Sequence, residues 1–400
     1  MTAPLDGIRV VELGQMVAVP AATQILASYG ASVIKVEDTG PGDALRFYGS
    51  SKNGMSAWFV ATNGGKRSIA LDLKSDTGKE ILWRLLEKAD LFIEGFRSGV
   101  IEKLGFDYDT VKSRLPRIIY FSCSGFGAIG PYANQPVYDP LIQSLAGWAG
   151  IQQHGGVPNL VRGMVADKVG AYTNAQAMMA ALIRQAHTGS GSFVRVNMHE
   201  SNIAFNWPDV MMDCMLMDPD AEHRPNVLMS YRLYRCSDGW VSIAPAADRH
   251  WQNMCSALER PDIYADERFI DSAGRGANFQ SWTEAIEAMV EPLMVKDVLD
   301  RLRQAEVPVA PVLLPNEVYD DPQVSATGMI QELQHPHVGG IRLPRPAASF
   351  FGDPLELRPA PSHGEHSVEI LQETNYSAAE IKKMLSEGTI VGPRHGNRTE

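Results

Sequence analysis

LVRGMVADKVGAYTNAQAMMAALIRQAHTGSGSFVRVNMH, residues 160–199, reads as a short apolar approach, one aspartate, a long helix, a glycine turn and a strand. Val169, Tyr172, Ala175, Met179 and Ile183 recur at helical spacing and predict a helix from Lys168 to His187. Thr188 to Ser192 breaks it with two glycines, and Phe193–Met198 alternates as a strand does. Asp167 stands where the approach meets the helix. Its plainest role is an N-cap, because aspartate accepts the orphan amide hydrogens of a first helical turn. A catalytic carboxylate is the competing role, and the local pattern alone favours the cap.

The preceding chain repeats the same alternation. IRVVEL (8–13), a helix over about Ala21–Tyr29 and SVIKVE (32–37) form a βαβ unit. A dinucleotide site would put its glycine fingerprint in the first turn, and Glu37 ends the second strand where a ribose-binding acid would stand. The turn reads GQMVAVP, with no fingerprint glycine after Gly14, and Val17 and Val19 would keep a pyrophosphate off the backbone. A Rossmann-like architecture without a nicotinamide cofactor is therefore expected. SIALDL (68–73), a helix over Thr77–Ala89, LFIEGF (91–96), helical turns to about Arg114 and IIYFSCSGFG (118–127) continue the pattern. Such alternation predicts a parallel sheet whose ligands gather at the strands' carboxyl ends. Candidate ligand residues are Gly14–Ala18, Glu37–Asp43, Lys74, Gly95–Arg97 and Ser124–Tyr138.

Beyond the central helix, a methionine-rich helix from Ser201 to about Asp218, interrupted by Pro208, leads away from the sheet. Met211, Met212, Met215 and Met217 are expected to pack a core or an interface. Residues 1–217 then form the first part of a large domain, 218–229 a linker and 230–325 a small α+β domain. The small domain opens with two strands around a Ser-Asp-Gly turn in YRLYRCSDGWVSIAP. Helices near Arg249–Leu258, Phe279–Met289 and Lys296–Ala305 and the segment Val309–Leu314 follow. Residues 326–400, proline-rich between Pro336 and Pro361, carry the chain back, and Ser377 with Glu380 forms a capping box for the last helix.

Composition bounds the function. Four hundred residues exceed one small core, and the net charge of −11 argues against a nucleic-acid binder. Residues 1–115 balance at 14 basic and 14 acidic side chains, so an anionic ligand meets least repulsion there. No run is apolar enough for a membrane span, and MTAPLDGIRVVEL lacks the basic start of a signal peptide. Cys123, Cys214, Cys236 and Cys255 are scattered, which suits buried thiols in a cytoplasmic protein rather than disulfides or a zinc site.

Several stretches resemble the family III CoA-transferases, a group that also holds acyl-CoA racemases. They are PLDGIRVVELG, PAATQILASYGASVIKVE with GPGDALR, NGGKRSIALDLKSDTGKE, LFIEGFRSGVIEKLGFDY and YFSCSGFGAIGPY. The Asp167 helix with its GSGSFVRVNMHES exit, YRLYRCSDGWVSIA, VPVAPVL and PAPSHGEHSVEIL follow in family order. The resemblance implies an interlocked homodimer with a Rossmann-like large domain and a smaller domain. CoA would lie on one subunit's large domain, with the other's small domain completing the site. It implies Asp167 as nucleophile, Gln15, Val17, Ala18 and Tyr138 at the acyl pocket, and Leu71, Lys74, Gly95, Phe96, Arg97 and Lys103 at CoA. The substrates would be an acyl-CoA thioester and a carboxylic acid, with no tightly bound cofactor and no metal. Racemases of this family place a histidine before the aspartate that Asp139 matches, whereas VYDPLIQ has Tyr138 there. A phenol of pKa about 10 is a poor second base. Formyl-type members carry a glycine run where this chain reads HRPNVLMSYRLY, and a glutamine where it has Val17. Val17, Val19 and Trp148 point to an acyl group larger and less polar than formyl. A racemase and a non-catalytic CoA-binding protein are the alternatives.

Overall fold

The computed structural model describes residues 3–153, 155–222, 228, 231–245, 247–350 and 353–393. Most of HRPNVLMSYRLY, and with it the question of a glycine loop, lies outside the described residues. The chain divides into two compact units, Met1–Val210 with Thr327–Glu400, and Met211–Ala326.

The first unit is built on strands β1 (Arg9–Leu13), β2 (Ser32–Glu37), β3 (Arg67–Leu71), β4 (Leu91–Glu94), β5 (Ile119–Ser124), β6 (Ser192–Asn197) and β7 (Ile390–Val391). The sheet order is β7-β3-β2-β1-β4-β5-β6. β1 to β6 run parallel, and only β7 is antiparallel, pairing Ile390 with Leu71. The first six strands thus follow the doubly wound order 3-2-1-4-5-6, whose direction of winding reverses between β1 and β4. β4 is buried at all four positions, as a parallel strand covered on both faces must be.

Four helices position the site: α1 (Ala18–Ser28), α2 (Asp139–Leu145), α3 (Val165–Thr188) and α4 (Met198–Val210). Val19 and Leu26 of α1 and Ala171, Ala175 and Met178 of α3 pack with Ile93 and Phe121 in one core cluster. The opposite face joins Phe92 and Tyr120 to Ile81, Leu85, Phe106 and Ile370. The small side chains along the inner face of α3 let α1 approach closely, so Tyr172 and Ile183 turn outward, 64% and 60% exposed. Their helical spacing marks a stripe but not the direction it faces.

Three expectations change. The methionine-rich helix ends at Val210, two residues after Pro208, whose ring and missing N–H disfavour continuation. Met211, Met212, Met215 and Met217 follow it, and Met217 is 92% exposed instead of packed. Cys214 is exposed, while Cys123, Cys236 and Cys255 are buried. The proline-rich return holds a hairpin, Ile330–His335 against Gly339–Pro344, with Pro336 in the turn and Pro344 at a strand end where no ladder donor is lost. The Ser377–Glu380 capping box forms as read.

The second unit carries an antiparallel sheet in the order Val309–Pro311, Trp240–Ile243, Leu233–Arg235. Its core packs Trp251, Cys255, Ile286 and Leu302 from helices Asp248–Ala257, Phe279–Val290 and Val295–Gln304. No helix among the described residues is long and apolar enough to cross a membrane.

Beneath the β1 and β2 ends lies a charge network shut off from water. Lys35 Nζ meets Glu12 Oε1 and Asp43 Oδ2, each at 2.9 Å, and donates to the Gly14 carbonyl at 2.7 Å. Lys66 Nζ donates to the other Glu12 oxygen at 2.8 Å, to the Pro20 carbonyl at 2.8 Å and to Asn63 Oδ1 at 2.9 Å. Burial alone would push Glu12 up, yet the two lysines bring it below the ordinary carboxylate range. Replacing Lys35 by Met leaves Glu12 and Asp43 under-compensated in the interior. Urea unfolding is expected to lose about 3–5 kcal/mol, the usual consequence of orphaning a buried charge. A loss below about 1 kcal/mol, the range of exposed pairs, would show that the network bears little of the stability.

Candidate active site

The loops after β1 and β4 meet where the winding reverses. A Cβ on Gly14 would overlap the Val19 side chain, and one on Gly95 would lie 3.0 Å from Val19 Cγ2. Gly95 N donates to the Leu13 carbonyl at 3.2 Å. Glycine is required at 14, and at 95 any side chain would crowd Val19. Between them Met16 takes a left-handed φ of 64°, a strained conformation for a side-chain-bearing residue. Asp43 holds it by accepting the Met16 amide at 3.0 Å.

Gln15 is exposed on this loop. Val17 and Val19 are each 3% exposed, and Val17 packs with Leu45, Met55 and Phe59. These two valines therefore belong to the interior, and the sequence hint they gave of a large apolar pocket is withdrawn. Ala18, buried at the start of α1, packs against Ala166 and Met198. Glu37 is no ribose ligand: Arg46 occupies its carboxylate at 2.7 and 2.9 Å, and Ser68 adds a bond of 2.7 Å.

A cleft of about 370 Å³ opens at the carboxyl ends of β4, β5 and β6, lined by Glu94, Phe96, Arg97, Ser122 and Arg195 among others. Phe96 and Arg97 are thus brought together there; Lys74, Lys103 and Asp167 are not in its wall. Lys74, Arg97 and Lys103 are all exposed, and none forms an ion pair among the described residues. Leu71 is 1% exposed in the core, so its side chain offers nothing to a ligand.

Asp167 is the third residue of α3, not its cap. Met164 holds the cap position and supplies no side-chain acceptor, because the chain enters through the Gly163 carbonyl, which takes the Val165 amide at 2.9 Å. The Asp167 amide donates to Asp139 Oδ2 at 3.0 Å and the Lys168 amide to the Met164 carbonyl at 3.2 Å. The early amides of the helix are therefore largely engaged, and the Asp167 carboxyl itself receives no hydrogen bond among the described residues. Burial, and then the charge of Asp139, push this carboxyl from an ordinary 3.8 up to about 7. The helix N-terminus partly offsets that repulsion.

Two further residues here had no role in the sequence reading. Asp139 opens α2 and Gln143 stands one turn later; Asp139 Oδ1 accepts Gln143 Nε2 at 2.6 Å. Their i, i+4 spacing at a predicted loop end was the available signal. Tyr138, in the cap position of α2, is 59% exposed and so is not a packed core tyrosine. Cys123 lies near Asp167 with its thiol pushed up to about 12 by burial, hence neutral. Trp148 Nε1 donates to Asn202 Oδ1 at 3.0 Å, and Asn202 Nδ2 donates to the Ala166 carbonyl at 3.0 Å, holding the first turn of α3 from its far side.

The sequence pattern of CoA-transferase family III runs over residues 5–367. The chain belongs to CoA-transferase family III. This family III enzyme is 32% identical to a succinyl-CoA:mesaconate CoA-transferase of Haloarcula hispanica, over 92% of this chain and 96% of that one. It is 32% identical to a succinate–glutarate CoA-transferase of Agrobacterium fabrum, over 92% of this chain and 95% of the relative. A CAIB/BAIF family protein from Brucella suis matches its structure with a TM-score of 0.83 at 31% identity, covering 94% of this chain and all of that one.

The raised Asp167 carboxyl has a measurable consequence. Between about pH 4 and 7 the folded state keeps a proton that the unfolded chain has released, so unfolding sheds it. Stability should therefore fall as pH rises through that window. Each tenfold difference in proton affinity between the two states corresponds to about 1.4 kcal/mol. Asp167→Asn should flatten this slope and melt higher than wild type above pH 7. Parallel melting-temperature profiles of the two proteins from pH 4 to 8 would remove Asp167 as its source.

Proposed function

We propose that this enzyme moves CoA from an acyl-CoA thioester to a carboxylic acid, with Asp167 as nucleophile. What carries the reading is a desolvated carboxyl, free of hydrogen bonds among the described residues, in the first turn of α3 beside Ala18. Desolvation raises the basicity of a carboxylate and with it the nucleophilicity of a weak nucleophile. The carboxylate attacks the thioester carbonyl, giving a mixed anhydride and expelling CoA thiolate. The thiolate attacks the aspartyl carbonyl and releases the donor acid, leaving an aspartyl-CoA thioester. The acceptor carboxylate attacks that thioester, forming a second anhydride and again freeing thiolate. Attack of this thiolate on the acceptor carbonyl completes the new CoA ester and restores Asp167. One thioester replaces another, so the exchange is near thermoneutral and needs no ATP.

Gln15 and Tyr138, both exposed, and Ala18 are the proposed neighbours of the acyl group; Gly95, Phe96, Arg97, Lys74 and Lys103 are the proposed CoA contacts. Two relatives are named for succinate or its CoA ester, so succinyl-CoA is the first donor to test. We also propose a homodimer. Its support is three large apolar side chains of the first unit left open to solvent, Tyr172, Ile183 and Phe205, each at least 60% exposed, which a second copy would cover. A folded, active monomer by light scattering at assay concentration would contradict it.

Asp167→Asn replaces a side chain that accepts no hydrogen bond among the described residues, so fold and CoA affinity should persist. Transfer should fall by about three orders of magnitude or more, since the amide forms no anhydride. Wild type incubated with acyl-CoA and then hydroxylamine should carry a hydroxamate at residue 167 by peptide mass, and the variant none. Transfer by the variant near the wild-type rate would end the proposal. Racemisation without transfer would favour the racemase reading, and CoA binding without either would favour a non-catalytic role.

Alanine at Lys74, Arg97 or Lys103 should raise KM for acyl-CoA by about tenfold while changing kcat little, the signature of lost uniform binding. Unchanged KM in all three variants would remove them from the CoA site.

A further inference from the structure

Asp139 and Gln143 tie three pieces of chain together. Asp139 Oδ2 accepts the Asp167 amide at 3.0 Å, while Oδ1 accepts Gln143 Nε2 at 2.6 Å. The same Gln143 nitrogen reaches the carbonyls of Val161 at 3.2 Å and Gly163 at 3.1 Å. Gln143 Oε1 in turn accepts the Val161 amide at 2.9 Å. Both side chains are buried, at 7% and 1% exposure, so these bonds do not compete with bulk water. The approach to α3 has an exposed Arg162 and Gly163, and Met164 packs against the cluster of Val17, Leu45 and Met55. The path of residues 161–163 is held by the hydrogen bonds of this pair.

We propose that Asp139 and Gln143 are positioning residues of the transfer reaction, clamping the approach and the first turn of α3 so that the Asp167 carboxyl is held in one attacking orientation beside a second carboxylate. The proposal rests on Asp167 as nucleophile and deepens that reading. A carboxylate attacking a thioester carbonyl depends on near-attack geometry, and loosening the residue that carries it by about 1 Å costs about a hundredfold in rate. The clamp has an electrostatic side as well. Asp139 from α2 is the charged group acting on Asp167, and β5 brings the neutral Cys123 thiol; around the neighbouring Ala166, α1 brings Ala18 and α4 brings Met198 and Asn202, none of them titratable. Asp139 thus contributes to the basicity of Asp167 while its hydrogen bonds fix the backbone beneath it.

The test is kcat and KM against pH for wild type, Asp139→Asn, Asp139→Ala and Gln143→Ala, with Asp167→Asn alongside. Asp139→Asn keeps an oxygen for the Asp167 amide but removes the charge. The acid limb of its kcat/KM profile is expected to move down by about half a pH unit or more. Asp139→Ala and Gln143→Ala are expected to lose at least about tenfold in kcat with KM for acyl-CoA nearly unchanged, and Asp139→Asn to recover part of that loss. A residue that merely supported the fold would lower the amount of active enzyme and leave the acid limb where it was. Wild-type kcat in both alanine variants with an unmoved limb in Asp139→Asn, while Asp167→Asn is inactive, would overturn the clamp and leave the nucleophile standing. Activity in Asp167→Asn would instead overturn the nucleophile. If the alanine variants do not fold, the limb of Asp139→Asn decides alone: a downward shift supports the clamp and a fixed limb ends it.

Discussion

The contact of Lys35 with Glu12, Asp43 and the Gly14 carbonyl is the constraint on which the first unit depends. Glu12 lies in β1 and Lys35 in β2, so the pair bridges adjacent parallel strands at their carboxyl ends. Lys66 joins from the segment before β3, and Asp43 from the loop after β2. A lone charge at any of these positions would be strongly unfavourable; four together, two of each sign, leave no net buried charge. The same cluster sets the first loop. Lys35 takes the Gly14 carbonyl and Asp43 takes the Met16 amide, so the left-handed turn at Met16 is held by groups that cannot themselves move. Strain of this kind, about 1–3 kcal/mol, persists only where surrounding structure over-determines it.

That loop faces the one that follows β4 across the point where the sheet reverses its winding. Doubly wound sheets leave a crevice there because successive crossovers depart to opposite faces. Here the crevice is narrowed by Val19, which Gly14 accommodates only for want of a Cβ and which a Cβ at Gly95 would crowd. This accounts for a fold of dinucleotide-binding order that lacks the usual glycine fingerprint. Backbone approach to a pyrophosphate is blocked by an interior valine, and the acid at the end of β2 is spent on Arg46. The proposed ligand surface accordingly lies on the exposed side chains of the two loops and near α3.

Much of the architecture was legible in the sequence. The inner parallel strands are mostly buried and read as short apolar runs, while β6 at the sheet edge alternates. Glycine, and serine or aspartate at caps, punctuate the helices between them. What was hidden depends on pairing through space. Nothing near Glu12 in the chain announces Lys66, 54 residues away, and nothing near Asp167 announces Asp139, 28 residues earlier. Hydrophobic spacing found α3 but not which way Tyr172 and Ile183 face, since only packing against α1 chooses the inner side. Asp167 was legible as a residue of interest: the local pattern favoured a cap, and the resemblance implied a nucleophile instead. An aspartate at a helix start does cap by default, and the choice of Met164 instead follows from how Gly163 turns the chain.

The distinction matters because a cap and the proposed nucleophile make opposite demands on a carboxylate. A cap spends its oxygens on amide hydrogens, which stabilises its charge and lowers its basicity. Asp167 is denied those donors: Gly163, Asp139 and Met164 take the amides of residues 165, 167 and 168. What remains is a half-buried carboxyl beside another acid, pushed up to about 7 and softened only by the helix dipole. Such an arrangement is unfavourable to the folded state whenever the group is ionised. It is tolerable because the rest of α3 is anchored by its small inner residues against α1, well beyond the first turn. The fold therefore keeps the Asp167 carboxyl more basic than an ordinary aspartate, as the proposed nucleophile requires, while the remainder of the same helix stays firmly packed.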